Sequence, residues 1–345
     1  MNKLAWLGHY TEPSDILLFN NFSHISKIAR TVFCSINNLL PPYIFADVMS
    51  AADNIELYGI LCPMFPGEIA SMGKEKQINT IKKMIQIGNK LGLSQIGIAG
   101  IFASIWEDGE ELKNFTDVPI TTGKNLIAAL VKEYISRCRR VLEKGDNGTL
   151  GVIGYGRNRL SGIFLDTFNA EFGEVLLDGE DQKSREIPNA RRETTENIFK
   201  KSDMIILTVM GLGLNNYIDM VRPGSVICDL IVPFYLSKEI SKTRKDLLAF
   251  EGVWSRYAKM EQYVGRNKKR LFKNNIVPAC VAELIILSLE NKFGEYSLAD
   301  NINHRNALDM LEMSKRNGFD FFGFKQGMNI YSREDLERIK NASKG

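Results

Sequence analysis

Histidine is scarce in this 345-residue chain, which holds three, and its five cysteines are scattered. Cys34, Cys62, Cys138, Cys228 and Cys280 form no CxxC pair. A zinc site of the usual spacing is therefore excluded, and no metal is expected. An odd, unpaired set of thiols fits a reducing compartment, so the expected localisation is cytoplasmic. Long apolar runs are also missing. Ile276–Leu289 spans 14 residues and carries Glu283, so it reads as a buried helix and no transmembrane segment is expected. Leu4–Leu7 is too short for a signal-peptide core. Nor is there an excess of one charge. Lys and Arg number 44 and Asp and Glu 41, a formal net charge of +3, which by itself does not argue for nucleic acid. No repeat or low-complexity tract interrupts the chain. What remains is 44% hydrophobic and 25% charged, the mix of an ordinary globular protein whose length suggests two or three domains.

The clearest boundary is the charged, glycine-containing stretch Glu143-Lys144-Gly145-Asp146-Asn147-Gly148. Before it the pattern is α+β. Asn2–Gly8 and Asn54–Cys62 read as strands, and Ile96–Ile105 as a strand with a close turn. Lys74–Leu91 reads as a helix with Ile78, Ile81, Met84, Ile85 and Gly88 on one face. Thr121-Thr122-Gly123 then opens a long helix, with a threonine as its expected N-cap. After the boundary, strands at Leu150–Gly154, Glu174–Asp178, Met204–Val209 and Ser225–Val232 alternate with helical stretches at Arg159–Phe172 and Glu193–Lys200. This alternation predicts parallel βαβ units. The fold class expected is α/β: a Rossmann-like doubly wound parallel sheet over 146–275, an N-terminal α+β substrate domain over 1–145, and C-terminal helices over 276–345. The end after Gly327 is polar and reads as looser.

Gly151-Val152-Ile153-Gly154-Tyr155-Gly156 sits at the first strand-to-helix turn of the alternating region. Glycines there let a backbone approach a pyrophosphate resting on a helix N-terminus. Position 159, where a third glycine would stand, is Arg159, and Gly162 is expected to restore close helix packing one turn later. Asp178 ends the second strand, where an acid holds a ribose 2′-hydroxyl and repels a 2′-phosphate. Arg157, Arg159, Lys183 and Arg185 are near enough in sequence to serve a phosphate instead. The cofactor expected is NADPH or NADH, with Gly154, Tyr155, Gly156, Arg157 and Asp178 among its contacts.

Cys280 is the thiol best placed for chemistry. Val277-Pro278-Ala279-Cys280 reads as a helix start with proline at its first position, and the basic residues Arg266, Lys268, Lys269, Arg270 and Lys273 precede it. A first-turn position and nearby positive charge would both lower its pKa. Cys138 has three arginines around it but lies late in a helix, and Cys228 lies inside an apolar strand. Asp229 ends that strand; it reads as a turn residue, with a place facing the cofactor cleft as the alternative.

The chain resembles the long-chain acyl-(acyl-carrier-protein) reductases of the cyanobacterial, fatty aldehyde-forming type. The likeness rests on Leu4-Ala5-Trp6-Leu7-Gly8-His9, Pro41-Pro42, Tyr58-Gly59, Pro63-Met64-Phe65-Pro66, Gly100-Ile101-Phe102-Ala103-Ser104-Ile105, Thr121-Thr122-Gly123-Lys124, Ala279-Cys280-Val281-Ala282-Glu283 and Asn317-Gly318-Phe319. The resemblance implies reduction of a fatty acyl thioester to an aldehyde through a Cys280 acyl-enzyme and a nicotinamide cofactor. It further implies that Thr121, Thr122 and Gly123 line the nicotinamide side, that Met64, Phe65, Ile101, Phe102 and Trp106 line an acyl channel, and that the basic run Arg266–Lys273 docks an acidic acyl carrier protein. An aldehyde-consuming enzyme would be a further partner. In place of the family's phosphate loop this chain has Gly154-Tyr155-Gly156-Arg157-Asn158-Arg159, and Asp178 stands where the family has an arginine. Two rival readings stand beside it. One is an NAD-dependent dehydrogenase of a small hydroxy or keto acid, which needs no cysteine. The other is a non-catalytic acyl-carrier or nucleotide-binding protein.

Overall fold

A computed structural model describes residues 1–11, 15, 39–50, 54–103, 109–145, 147–179, 188–209, 213–257, 263–264, 275–327 and 329–344. Trp106, Cys34, His24, Lys183, Arg185 and the run Arg266–Lys273 lie outside the described residues. The chain forms two compact units, each discontinuous in sequence. The first holds Met1–Leu126, Ser255–Asn301 and Asp309–Asp320, and the second Ile127–Trp254, Ile302–Leu308 and Phe321–Gly345. The expected ranges 1–145, 146–275 and 276–345 differ from this. The stretch after 275 forms no helical domain of its own and divides between the two units.

The first unit begins with β1 (Asn2–His9), β2 (Tyr43–Ser50), β3 (Ile55–Cys62), helix α1 (Pro66–Ser71), helix α2 (Lys74–Asn89), β4 (Gln95–Ile98) and β5 (Ile120–Thr121). Helix α2 forms because its apolar residues recur at helical spacing; Ile81, Met84, Ile85 and Gly88 are buried and Ile78 half-buried. Strands β3, β1, β4 and β5 run parallel, and β2 pairs antiparallel with β3. The core of this unit gathers Leu7, Ile60, Ile96, Ile98, Phe102 and their neighbours. Helix α3 (Lys124–Val141) follows β5.

In the second unit the sheet strands are β6 (Thr149–Ile153), β7 (Glu174–Leu177), β8 (Ala190–Arg192), β9 (Met204–Leu207), β10 (Val226–Asp229) and β11 (Leu248–Glu251). Helices α4 (Arg159–Phe168), α5 (Thr195–Lys201) and α6 (Tyr235–Thr243) connect them. The short apolar runs are buried along their whole length in β9 and β10, as parallel strands covered on both faces require. All pairings are parallel, in the spatial order β11-β10-β9-β6-β7-β8. The chain leaves β6 to one side for β7 and β8, then returns to the other for β9, β10 and β11. This is the two-halved, doubly wound order of dinucleotide-binding domains, with its switch point between β6 and β9. The expected α/β, Rossmann-like fold is thus present.

The remaining elements are β12 (Trp254–Tyr257), β13 (Tyr263–Val264), β14 (Ile276–Pro278), α7 (Ala279–Leu289), α8 (His304–Arg316), β15 (Phe319–Phe321), β16 (Lys325–Gln326), β17 (Asn329–Ile330) and α9 (Arg333–Ala342). β13 completes the first unit's sheet beside β2. The end after Gly327 is not loose. Ser332 and Asp335 form a reciprocal capping box at the start of α9. The Tyr331 hydroxyl donates to the Ala249 carbonyl at 3.0 Å and accepts the Ala249 N–H at 3.2 Å, covering the edge strand β11. No helix among the described residues is long and apolar enough to cross a membrane.

Candidate functional site

In the second unit the residues read as a nucleotide turn converge at the switch point. Gly154 follows β6 with φ +95°, a conformation that favours glycine, and a Cβ there would stand 2.5 Å from Thr208 Oγ1 beyond β9. Gly156 also has positive φ. Asp178, one residue past β7, is only 4% exposed. Its Oδ1 accepts the N–H groups of Gly154 and of Tyr155, the latter at 3.1 Å. Among the described residues Oδ2 accepts no hydrogen bond. The 24-residue spacing between Gly154 and Asp178 therefore corresponds to direct contact.

The turn is otherwise closed on itself. The Gly156 N–H donates to Ser161 Oγ at 3.2 Å, and the Arg157 N–H to the Gly154 carbonyl at 3.2 Å. Asn158 caps helix α4, its side chain accepting the Ser161 N–H at 3.0 Å and donating to the Thr208 carbonyl at 3.0 Å. Arg157 and Arg159 are exposed at this helix start. The expected role of Gly162 is not found: a Cβ there would meet nothing within 4 Å. The glycine that admits close packing is Gly151, where a Cβ would lie 2.4 Å from Ile198 and 2.6 Å from Ser202 of the α5 segment.

Asp229, at the end of β10, is fully buried. Its Oδ1 accepts the Ile231 N–H at 2.9 Å and its Oδ2 the Ser237 N–H at 3.0 Å. Burial pushes its carboxyl up to about 6 against these donors. It fixes the loop and the first turn of α6, as expected of a turn residue.

The first unit holds the other candidates. Cys280 is the second residue of α7, with Pro278 as N-cap rather than first helical residue. Cys280 as a residue is half-buried, and burial of its thiol pushes it up to about 12, outweighing nearby backbone hydrogen bonds that act downward. The expected depressed pKa is therefore overturned. Its backbone is wedged by two glycines: a Cβ at Gly123 would stand 2.5 Å from Cys280 Cα, and one at Gly97 3.3 Å from the Cys280 carbonyl oxygen. The thiols of Cys62, Cys138 and Cys228 are buried and also pushed up.

Sequence reasoning missed Glu283. Its carboxylate, 0% exposed, accepts the Thr121 hydroxyl, the Ser297 hydroxyl, the Gly123 N–H and, at 2.9 Å, the Leu126 N–H. It thus caps the start of α3 from a distant segment, which corrects the expectation of a threonine N-cap. Thr121 lies in β5, and the Thr122 hydroxyl donates to the Ser297 carbonyl at 2.5 Å. Burial raises the Glu283 carboxyl above its usual range. The only available signal was its place inside Ala279–Glu283, which singled out the cysteine.

Of the residues expected to line an acyl channel, the four that are described sit in or against the first unit's packing. Ile101 and Phe102 belong to the first unit's core, Met64 packs against it, and Phe65 stands against Tyr10 with ring centroids 5.6 Å apart. His9 holds the turn Gly100–Ala103. Its Nδ1 donates to the Tyr10 carbonyl at 2.8 Å and its Nε2 accepts the Ile101 N–H at 3.0 Å. Burial lowers its pKa to about 4. Among the described residues no group of acidic, histidine or cysteine side chains could hold a metal ion.

No family model matches the chain. It is similar to a curated protein named Aminotransferase PigE from Serratia sp., 21% identical over 330 residues, which cover 91% of this chain and 38% of that protein. The chain thus spans about two-fifths of that relative's length. Among solved structures it is similar to L-tryptophan dehydrogenase from Nostoc punctiforme, 8% identical, with 91% and 90% of the two chains covered and a TM-score of 0.39. It is also similar to a D-isomer specific 2-hydroxyacid dehydrogenase from Lactobacillus delbrueckii ssp. bulgaricus in its NAD-complexed form. Here the identity is 10%, coverage 70% and 76%, and the TM-score 0.30. With D-2-hydroxyisocaproate dehydrogenase it shares 13% identity over 70% and 76% of the chains, with a TM-score of 0.29. None of these is an acyl-(acyl-carrier-protein) reductase. The resemblance to that family and the fatty acyl thioester reduction it implied are corrected accordingly, in keeping with the raised Cys280 thiol.

Proposed function

We propose that this protein is a nicotinamide dinucleotide-dependent oxidoreductase that interconverts the hydroxyl and carbonyl forms of a small hydroxy or keto acid. One observation carries the cofactor half. The switch point of a doubly wound sheet holds a positive-φ glycine turn whose N–H groups are fastened to Asp178. A dinucleotide fits these residues. Asp178 Oδ2 would accept a hydroxyl of the adenosine ribose, while Arg157 and Arg159 would set positive charge beside the pyrophosphate. The bound cofactor would supply or accept a hydride at the substrate carbon. The substrate half is supported by what it does not require. Hydride transfer to a ketone needs no thiolate, and burial pushes the Cys280 thiol up to about 12.

Asp178 also sets the expected preference for NADH. Two N–H bonds to Oδ1 fix the carboxylate, so it cannot swing away from a 2′-phosphate. Fluorescence titration should give a tighter dissociation constant for NADH than for NADPH. Asp178→Asn keeps an oxygen for the two N–H groups and removes the charge, so it should narrow the difference by about tenfold or more. Turnover with a panel of 2-keto acids and NADH tests the substrate class. Failure of the wild-type protein to bind either cofactor at millimolar concentration would overturn the proposal.

A further inference from the structure

Taking the dinucleotide reading as its basis, we propose that Tyr235 forms the platform for the nicotinamide end of the cofactor. With Asp178 beyond β7 taking the adenosine ribose, a dinucleotide laid across the Gly154 turn extends its other half over β9 and β10. Those strands end level with β6: Ile153 pairs with Leu207, and Leu207 with Asp229. The ladder continues one residue further, through the Thr208 N–H to the Ile153 carbonyl at 3.0 Å and the Leu230 N–H to the Leu207 carbonyl at 3.2 Å. The rim beyond β10 therefore lies about two strand spacings, ~10 Å, from the glycine turn, within the span of a nicotinamide riboside.

That rim is held rigidly. The buried Asp229 grips the N–H groups at both of its ends, Ile231 and Ser237. Phe234, whose side chain is buried, adopts φ +61°, a left-handed conformation that is a true outlier for a bulky residue, and its N–H donates to the Ile231 carbonyl at 2.5 Å. Strain of this kind persists only where the surrounding contacts enforce it, and it clusters at functional sites. The next residue is Tyr235, the first of α6, which is 68% exposed. A large aromatic side chain is thus left open at the C-terminal edge of the sheet, where ligands of such sheets bind, offering a flat face to a planar ring.

The test compares two ligands that differ only at the end in question. Calorimetry with NADH and with ADP-ribose, which lacks the nicotinamide, is run on wild type, Tyr235→Ala and Tyr235→Phe. The expected result is that Tyr235→Ala weakens NADH about five- to tenfold and leaves ADP-ribose within a factor of about two, while Tyr235→Phe binds both as wild type does. Unchanged NADH affinity in Tyr235→Ala, or equal loss for both ligands, would overturn the platform while leaving the dinucleotide reading intact. Binding of neither ligand by wild type would remove the dinucleotide reading and this inference together.

Discussion

The backbone N–H of Leu126 donates to Glu283 Oε2 at 2.9 Å across 157 residues of sequence. Through this bond and those from Gly123, Thr121 and Ser297, one buried carboxylate ties the start of α3 to α7. In apolar surroundings an anion so placed is tolerable only while every donor stays aimed at it.

Glu283→Ala should therefore be among the costlier single changes in the first unit. It strands two buried N–H groups and two hydroxyls, and unmet donors cost about 1–3 kcal/mol each before water enters. A loss of about 3 kcal/mol or more is expected by urea denaturation, with Glu283→Gln intermediate. A change below about 1 kcal/mol in the alanine variant would show that the cluster is not holding the helix start.

His9 gives the first unit an acid-side weakness. Its folded-state pKa, about 4, lies below the usual histidine value of 6.5, so the unfolded chain binds more protons between these values. Stability from this residue is complete above pH 6.5 and falls as pH drops toward 4, by about 3 kcal/mol. The cause is burial of the ring, which disfavours its charged form; protonating Nε2 would also set it against the Ile101 N–H. In His9→Ala, the deficit relative to wild type should be largest near pH 7 and shrink toward pH 4, as measured by denaturation at a series of pH values.

Asp229 acts with the opposite sign in the second unit. Its folded-state pKa, about 6, lies above the usual aspartate value of 3.8, so the folded form holds its proton more tightly. This contribution is present below about pH 4 and is lost as pH rises through 6, again about 3 kcal/mol. Asp229→Asn does not titrate there, so its deficit against wild type should be greatest at pH 4 and smaller at pH 7. A gap that widens with pH would contradict the assignment.

Cys280 should behave as a poor nucleophile. With its thiol near 12, less thiolate is present than on a free cysteine, and the gain in intrinsic nucleophilicity recovers only part of the loss. Iodoacetamide at pH 8 should label it roughly 30–100-fold more slowly than glutathione, with a rate still climbing at pH 10. Peptide mapping after timed labelling reads this directly, and labelling as fast as glutathione would contradict the raised pKa.

What could be read from sequence was local. Strand and helix alternation from Leu150 to Val232 is a pattern of neighbours, and it leads to the parallel sheet. The pairing of Gly154 with Asp178 was legible because a strand–helix–strand unit fixes that distance along the chain. The strand Tyr43–Ser50 holds the strand formers Tyr43, Ile44, Phe45 and Val48, but Pro41-Pro42 before it and Asp47 within it obscure the pattern; it is defined by pairing with Ile55–Cys62. Cys280 was correctly placed near a helix start, yet its raised pKa comes from burial, which depends on segments remote in sequence such as those of Gly97 and Gly123 that pack against its backbone. Glu283 was in plain sight for the same run of residues, but its four donors come from Thr121–Leu126 and Ser297. The ordered C-terminal segment was partly legible after all: Ser332 followed three residues later by Asp335 is a helix-start signature in its own right.

Tyr331 has a further consequence. A phenol that occupies both the amide and the carbonyl of Ala249 does on a small scale what a seventh strand would do. Without that phenol, the amide and carbonyl of Ala249 would stand bare on the β11 margin, where an added strand could pair.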